Sequence, residues 1–345
     1  MEQKRRTFPW KRWLILLVVL VVMSIVQLPY YYNQPGMAES LEGMIEVEGG
    51  YQDEEGTLML TTIASAKATP FLAMWSLFSP YRTLYPVPAG LSDEEYEKRQ
   101  VLLMSNSQED AQIAAYHAAG AEVVIETNGV FVTRILEDMP AEGVIEAGDV
   151  IQEIEGEPVR AAEELLEALA GKTEADTVSV TFERGGEVRT EELGFAPFPE
   201  EQGAEPGRVG VGIAEPVTAR EVAFDPEVEI SAGAIGGPSA GFMFSLEIYN
   251  QLLEGDITKG YDIAGTGTIN EDGDVGAIGG ASQKVLAADQ AEADFFFVPN
   301  QGGTANSNYK EAKQAAEDID TDMVVVPIDT LSEALTYLES LQPKG

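Results

Sequence analysis

Apolar runs of different lengths follow one another along the chain, and they predict a mixed α/β protein behind an N-terminal apolar segment. The uncharged run at residues 13–28 is the longest of them. Short apolar runs at residues 295–299 and 323–326 have the length of buried strands. An apolar run at residues 242–253 follows a glycine-rich bend and predicts a helix, and residues 309–317 predict another. Strands and helices therefore alternate in the last third of the chain, which is typical of an α/β fold.

The N-terminal residues have the pattern of a membrane anchor. Residues 1–12 carry five basic side chains, which predicts a cytoplasmic segment. Residues 13–32 follow, with Trp13 at one end and three tyrosines at the other, and such aromatic belts extend an apolar run to a membrane-spanning length. We therefore expect one transmembrane helix in a single-pass cell-membrane protein whose remaining chain is extracytoplasmic. A cleaved signal peptide is the alternative, and it is disfavoured because no small-residue cleavage site follows promptly.

The composition narrows the possible functions. The formal net charge is −38, and such a surface would repel phosphates, which argues against nucleic acid as a partner. This charge fits a salt-rich or alkaline habitat, or simply an acidic envelope protein. The chain has no cysteine, so its stability depends on its core and not on disulfides.

Residues 37–120 predict an N-terminal extracytoplasmic region of mixed strands and helices. Residues 44–48 and 58–63 read as strands. Residues 70–78 are apolar and form either a core helix, which we favour, or a surface patch. A charged helical region follows to residue 119, with a break expected near Ser105, Asn106 and Ser107.

A glycine-rich bend places Ser239 at the start of the apolar helix. Gly237 and Pro238 precede the serine and Ala240 follows it, which is how a chain turns sharply into a helix. The unpaired amides and the dipole of a helix N-terminus would stabilise an oxyanion forming beside Ser239, with Gly237, Pro238 and Ala240 as the surrounding loop. A capped helix without catalytic function explains the hexapeptide equally well.

Few residues could activate Ser239 as a nucleophile. The single histidine, His117, lies in an alanine-rich helical stretch, so a Ser-His-Asp triad is disfavoured, and zinc hydrolysis lacks the two histidines of its usual motif. We therefore expect no metal and no other cofactor. Lys284 lies in the first turn of a predicted helix, where the dipole disfavours a positive charge. As a base it would need a pKa near 7 instead of about 10.4, which burial could supply. A surface lysine whose stem covers apolar residues is the alternative.

Residues 208–345 resemble the proteolytic domain of Lon-type serine proteases. The resemblance is carried by the stretches Gly-Pro-Ser-Ala-Gly around Ser239, Thr-Gly-Thr-Ile at Thr266 and Lys-Val-Leu-Ala-Ala at Lys284, together with their spacing. It implies that Ser239 attacks the scissile carbonyl, that Lys284 takes and returns the proton, and that Thr266 orients the lysine. It also implies possible homo-oligomers, because Lon-type domains assemble into rings.

Residues 126–193 resemble a PDZ domain. The motif that carries the resemblance is Gly-Asp-Val-Ile, then Ile, Gly and Pro-Val, within residues 148–159. The resemblance implies that an extended peptide adds a strand to a sheet edge. The groove would be bounded by five residues, Val130, Phe131, Val132, Leu165 and Leu166. The unit could instead act only as a spacer or a gate, and residues 194–207 form a Pro/Glu/Gly linker to the Lon-like part.

The fold class expected from these patterns is an α/β (α+β) Lon-type proteolytic domain plus a PDZ domain with one N-terminal transmembrane helix. No phosphate-binding loop motif occurs, so hydrolysis should require no ATP. We expect a serine endopeptidase that cleaves unfolded or flexible polypeptides of the envelope or membrane, received or gated by the PDZ domain. The alternative is an inert, membrane-tethered scaffold that binds peptides.

Overall fold

The computed structural model describes residues 10–52, 55–87, 93–198, 208–214, 216–233 and 235–344. They divide into two compact units. The split unit comprises Met1–Glu122 and Asp225–Gly345, and the inserted unit comprises Val123–Phe224. The predicted basic segment at residues 1–12 and the linker at 194–207 lie largely outside the described residues.

The split unit contains helices on both sides of one large sheet. Its helices are α1 (Trp10–Ile25), α2 (Pro70–Ser76), α3 (Asp93–Ala119), α5 (Gly241–Leu252), α6 (Ala281–Gln290), α7 (Asn308–Ile319) and α8 (Leu331–Ser340). Its strands are β1 (Tyr30–Ser40), β2 (Ile45–Val47), β3 (Thr57–Lys67), β4 (Thr83–Pro86), β15 (Val228–Ile230), β16 (Asp262–Gly265), β17 (Thr268–Ile269), β18 (Val275–Gly276), β19 (Phe295–Pro299) and β20 (Val324–Ile328).

The large sheet joins the two segments of the split unit. Its strand order is β20-β19-β16-β3-β1-β4. The first four strands are mutually parallel, whereas β1 pairs antiparallel with both β3 and β4. Strands β16 and β3 are direct neighbours, with Gly265 opposite Leu60. The N-terminal strands are therefore part of the same sheet as the Lon-like strands, and they do not form the separate region expected for residues 37–120.

The sheet is buried on both faces because the side chains of its central strands alternate between two helical layers. On one face, Phe296 packs with Val285 of α6 and with alanines of α7. On the other face, the ring centroid of Phe297 lies 6.4 Å from that of Phe242 in α5 and 5.6 Å from that of Tyr337 in α8. This alternation explains why residues 295–299 read as one continuous apolar run.

The prediction of a transmembrane helix at residues 13–32 was wrong. Within the described residues, no helix is both long enough and apolar enough to span a bilayer. Helix α1 has 16 residues, which corresponds to about 24 Å at 1.5 Å per residue, whereas a bilayer core is about 30 Å thick. The tyrosines that were expected to extend the helix begin β1 instead, where Tyr31 pairs with Lys67 and Tyr85, and Tyr32 is buried.

Two further details of the N-terminal region differ from expectation. Helix α2 has no buried residue, and its Phe71 and Trp75 rings stack on each other at the surface, so residues 70–78 are a surface patch and not a core helix. Helix α3 runs without a break through Ser107, whose side chain is buried against the rest of the unit.

The inserted unit is a small sheet with one main helix. Its elements are β5 (Glu122–Phe131), β6 (Arg134–Ile135), β7 (Val150–Ile154), β8 (Glu157–Pro158), α4 (Ala162–Leu169), β9 (Thr177–Arg184), β10 (Glu187–Gly194), β11 (Ala196–Pro197), β12 (Val209–Gly210), β13 (Ile213–Ala214) and β14 (Val217–Asp225). The strand order is β10-β9-β7-β5-β14, and β8 pairs with β7. Strands β12 to β14 belong to this unit, although residues 208–224 were assigned to the Lon-like domain by the sequence.

Candidate active site

The nucleophile candidate Ser239 lies in a tight turn at the start of α5. Gly237 has a φ of 87°, and residues Pro238–Ala240 form one 3-10 turn that leads directly into the helix. A positive φ is accessible to glycine at little steric cost, so Gly237 allows the sharp entry. Ser239 is half-buried, whereas the helix behind it is almost wholly buried. The turn therefore holds a partly accessible hydroxyl on a rigid support.

Lys284 occupies the first turn of α6, and its side chain is 2% exposed. The helix begins after Gly280, which has a φ of 68°. Burial lowers the pKa of Lys284 from 10.5 to about 7, because a charged ammonium loses its hydration in the interior. The surface-lysine alternative is thereby excluded.

The structure brings the serine and the lysine together. The Nζ atom of Lys284 lies 2.8 Å from Oγ of Ser239, 2.9 Å from Oγ1 of Thr266 and 2.8 Å from the carbonyl oxygen of Thr61. Thr266 is fully buried and follows directly after β16. All three residues that the sequence singled out thus lie in one hydrogen-bonded cluster.

The hydrogen bonds of the Thr266 hydroxyl show which groups of the cluster donate and which accept. The hydroxyl of Thr266 donates to the backbone carbonyl of Ser239 at 2.9 Å, so its oxygen accepts from Lys284. A neutral amine has two N–H groups and one lone pair. When both N–H groups are donated, to Thr266 and to the carbonyl of Thr61, the lone pair faces the hydroxyl of Ser239. This is the orientation that a general base requires.

Thr61 was not found from the sequence. It lies on β3, next to β16, and its own hydroxyl donates to the carbonyl of Gly265 at 3.0 Å. Its contribution to the lysine is a backbone carbonyl, which every residue type possesses, so no sequence signal marks it. Only the pairing of β3 with β16 brings that carbonyl to Lys284.

Helix α3 forms two hydrogen bonds with the turn that carries Ser239. The hydroxyl of Ser107 donates to the carbonyl of Pro238 at 2.9 Å, and the amide of Gly237 donates to the carbonyl of Gln100 at 3.1 Å. Gly237, Pro238 and Ala240, which were expected to form the oxyanion loop, flank Ser239 in this turn. The Gly237 amide is already engaged, however, and proline has no N–H, so neither residue presents a free amide in this conformation.

The inserted unit contains a cavity of about 420 Å³ between α4 and residues 208–213. Leu165 and Leu166 line it. The three residues expected opposite them do not: Val130 and Val132 are fully buried in the core, and Phe131 lies outside the cavity wall. Strand β5 lies between β7 and β14 in the sheet, so it offers no edge to an added strand.

Among the described residues, no group of three or more His, Asp or Glu side chains could hold a metal ion. The cluster itself places a hydroxyl beside a buried amine. This arrangement is typical of the Ser-Lys class of hydrolytic sites.

Comparisons with known proteins agree with this class. Residues 219–340 match the family model of the Lon protease (S16) C-terminal proteolytic domain, and residues 118–193 match that of the PDZ domain. The predictions of a Lon-type proteolytic domain and of a PDZ domain are confirmed at this level. The match to the Lon family model begins at residue 219, after β3 and α3, so it does not include Thr61 or Ser107.

Individual relatives match over the same part of the chain. A Lon protease from Metamycoplasma arthritidis is 32% identical over 113 residues, which cover 32% of this chain and 13% of the relative. The peroxisomal Lon protease homolog 2 from Caenorhabditis briggsae is 33% identical over 121 residues, which cover 34% of this chain and 15% of the relative. The chain therefore spans a small part of the length of these curated relatives. A crystal structure of the PDZ domain of an SdrC-like protein from Listeria monocytogenes is 28% identical, with a TM-score of 0.22, and covers 25% of this chain and 85% of that one.

Proposed function

We propose that the protein is an ATP-independent serine endopeptidase that uses Ser239 as nucleophile and Lys284 as general base. The single observation that carries the proposal is the 2.8 Å contact between Nζ of Lys284 and Oγ of Ser239, at a lysine whose pKa is lowered to about 7 by burial. A base with a pKa near the working pH combines a large neutral fraction with useful basicity.

The reaction follows from the orientation of the lone pair. Oγ of Ser239 attacks the carbonyl carbon of the peptide bond while its proton moves to Nζ of Lys284, and the negative charge develops on the former carbonyl oxygen. The lysine then gives this proton to the leaving amine as the C–N bond breaks. A water molecule subsequently hydrolyses the ester, with Lys284 again as base. Thr266 and the carbonyl of Thr61 keep the amine oriented throughout.

The substrates we propose are unfolded or flexible polypeptides. No phosphate-binding loop motif is present in the sequence, so we expect no nucleotide-driven unfolding step. The test is hydrolysis of unfolded casein by the full chain without ATP, combined with a serine-directed phosphonate reagent and mass mapping of the labelled peptide. We expect cleavage and a phosphonate adduct on Ser239. Full folding without cleavage or adduct would instead support the inert peptide-binding scaffold.

For the inserted unit we propose that the cavity beside α4 binds the C-terminal end of a peptide. Lys172 and Arg208 line the cavity together with Leu166 and Val209. Two basic side chains in a strongly acidic chain suit a terminal carboxylate, and the apolar side chains suit the last residues of the peptide. Such binding would recruit substrates to the peptidase or gate access to it.

Replacing Leu166 by aspartate should weaken binding of apolar C-terminal peptides at least tenfold, because it removes apolar contact and repels the carboxylate. Leu166 is 49% exposed, so the unit should still fold. Val188→Asp is the matched control, since Val188 is also exposed on the inserted unit and lies outside the cavity. Fluorescence anisotropy with a labelled peptide measures the effect, and equal affinities of the two variants would contradict the proposed groove.

An extracytoplasmic location and assembly into homo-oligomers stay predictions. The first derives from the basic residues of the N-terminal segment, and the second from the resemblance to ring-forming Lon-type domains. Light scattering of the purified chain measures the oligomer, and protease accessibility of intact cells measures the location.

A further inference from the structure

A cleft of about 300 Å³ opens on the split unit. It is lined mainly by three tyrosines and by three residues of β1 and β3, namely Tyr31, Tyr85, Tyr96, Asn33, Ile63 and Ser65, and the start of α6 closes one end. These six residues precede residue 219, where the match to the Lon proteolytic domain begins. The cleft is therefore built mainly by the N-terminal segment.

Neither Ser239 nor Lys284 lines this cleft, but residues of the elements that hold each of them do. On the lysine side, Gly280 and Gln283 line it immediately before Lys284. On the serine side, Tyr96 lines it one helical turn before Gln100, whose carbonyl accepts the amide of Gly237 in the serine turn at 3.1 Å. One end of the cleft therefore lies within one helical turn of Lys284, so that a substrate chain bound at Ser239 can extend into it.

Position 280 favours glycine, because its φ of 68° lies in the left-handed region and a side chain there would displace the end of Ile63. A Cβ atom there would lie 2.4 Å from Cδ1 of Ile63, which is well inside van der Waals contact. The absence of a side chain lets Ile63 approach the start of α6, two residues from the Thr61 carbonyl that orients Lys284. The floor of the cleft and the orientation of the base therefore depend on the same strand, β3.

The chemistry of the cleft is uncharged and aromatic. None of its described lining residues carries a charge, although the chain has 59 acidic residues. Tyr31 stacks on Tyr96 with ring centroids 5.1 Å apart, and the Lys67 ammonium lies 4.6 Å from the Tyr31 ring centroid. Tyr31 is thus held in place before any ligand arrives, which reduces the entropy lost on binding.

We propose that this cleft is a specificity subsite that receives an uncharged, ring-bearing side chain of the substrate on one side of the scissile bond. The inference rests on the proposed peptidase function and adds a substrate class to it. The exposed ring of Tyr85 offers a stacking surface, and no carboxylate or ammonium group among the described lining residues can pair with a charged side chain.

The experiment places one charge in the cleft. Asn33 accepts a hydrogen bond from the hydroxyl of Ser65 at 2.7 Å through Oδ1, and a carboxylate retains that bond, so Asn33→Asp is nearly isosteric. Two casein-derived peptides that differ only in Phe or Lys at the most selective position serve as substrates. We expect wild-type kcat/KM to favour Phe, and Asn33→Asp to shift the Lys to Phe ratio towards Lys at least tenfold.

Two further variants make the result decisive. Asn306→Asp is the matched control, because Asn306 is exposed in a loop away from the cleft, and it should leave the ratio unchanged. Tyr85→Ala should lower kcat/KM for the Phe peptide about tenfold, with circular dichroism confirming the fold. An active Asn33→Asp enzyme with an unchanged ratio would overturn the subsite alone. A folded wild type that neither cleaves nor forms the phosphonate adduct would overturn the peptidase function, and the subsite with it.

Discussion

Replacing Ser239 by alanine is expected to lower kcat for peptide hydrolysis by about 10⁴-fold or more, because no other described hydroxyl can take over the attack. The side chain of Thr266 donates its proton to the backbone of residue 239, and it is fully buried. It is therefore not placed to replace the serine. Hydrolysis of a fluorogenic peptide, measured with enzyme free of contaminating protease, provides the rate.

The same variant should keep its fold, which separates catalysis from stability. The hydroxyl of Ser239 contacts only Lys284 among the hydrogen bonds of the described residues. The backbone carbonyl of residue 239 still accepts from Thr266 and from the amide of Gly267. The neutral amine also retains both of its acceptors, Thr61 and Thr266. We therefore expect the melting temperature to change by only a few degrees.

A matched serine provides the control for this experiment. Ser245 is fully buried in α5, and its hydroxyl donates to the carbonyl of Phe242 at 2.7 Å within the same helix. Ser245→Ala should leave kcat unchanged. Cleavage that persists in Ser239→Ala at the wild-type rate would show that another group is the nucleophile, and loss of activity in both variants would indicate damage to α5.

The Ser-Lys cluster and the groups that orient it come from two separate segments of the chain. The C-terminal segment supplies Ser239, Thr266 and Lys284. The N-terminal segment supplies the Thr61 carbonyl and, from α3, the hydroxyl of Ser107 that donates to the serine turn. Each strand of a parallel pair needs a long connection to its neighbour. Here the chain between β3 and β16 contains the whole inserted unit. The N-terminal region is thus a structural part of the same unit as the Ser-Lys cluster.

Ser239 and Lys284 could be predicted because composition eliminated their competitors, whereas Thr266 was found only through the resemblance to Lon-type proteolytic domains. Without cysteine and with one histidine, lysine was the remaining base for Ser239, and the first turn of α6 was an unusual place for a structural cation. The carbonyl of Thr61 and the tyrosine cleft could not be predicted, because both depend on which strands become neighbours in the sheet. That pairing is a long-range property that local periodicity does not contain.

The N-terminal segment was misread for a related reason. An apolar run of 16 residues followed by tyrosines is compatible with an extended membrane helix by composition alone. The three tyrosines instead have a high β-propensity and find partners, since Tyr30 to Tyr32 pair with β4 along their length. The groove residues on β5 illustrate the same limit, because the position of β5 between two strands cannot be read from residues 130–132.

Replacing Lys284 by methionine is expected to lower kcat by about 10³-fold, because a general base contributes between about 10² and 10⁴. In the wild type, kcat/KM should rise with pH through a pKa of about 7 and then level off, since only the neutral amine accepts the proton. Lys313→Met is the control, because Lys313 is exposed on α7. A wild-type profile that is flat between pH 6 and 9 would contradict a lysine base.

The pH dependence of stability, compared between Lys284→Met and the wild type, tests the lowered pKa of Lys284 without relying on catalysis. The pKa of Lys284 is about 7 in the folded chain and about 10.4 in the unfolded chain, so between these values the unfolded state binds more protons. Wild-type stability from this group therefore falls as the pH decreases from about 10 to 7 and stays constant below. The full change is roughly 5 kcal/mol at 1.36 kcal/mol per pKa unit. A methionine side chain cannot bind a proton, so the melting temperature of Lys284→Met minus that of the wild type should increase as the pH falls through this range. A difference that is independent of pH, as expected for Lys313→Met, would mean that Lys284 keeps an ordinary pKa and cannot serve as the base.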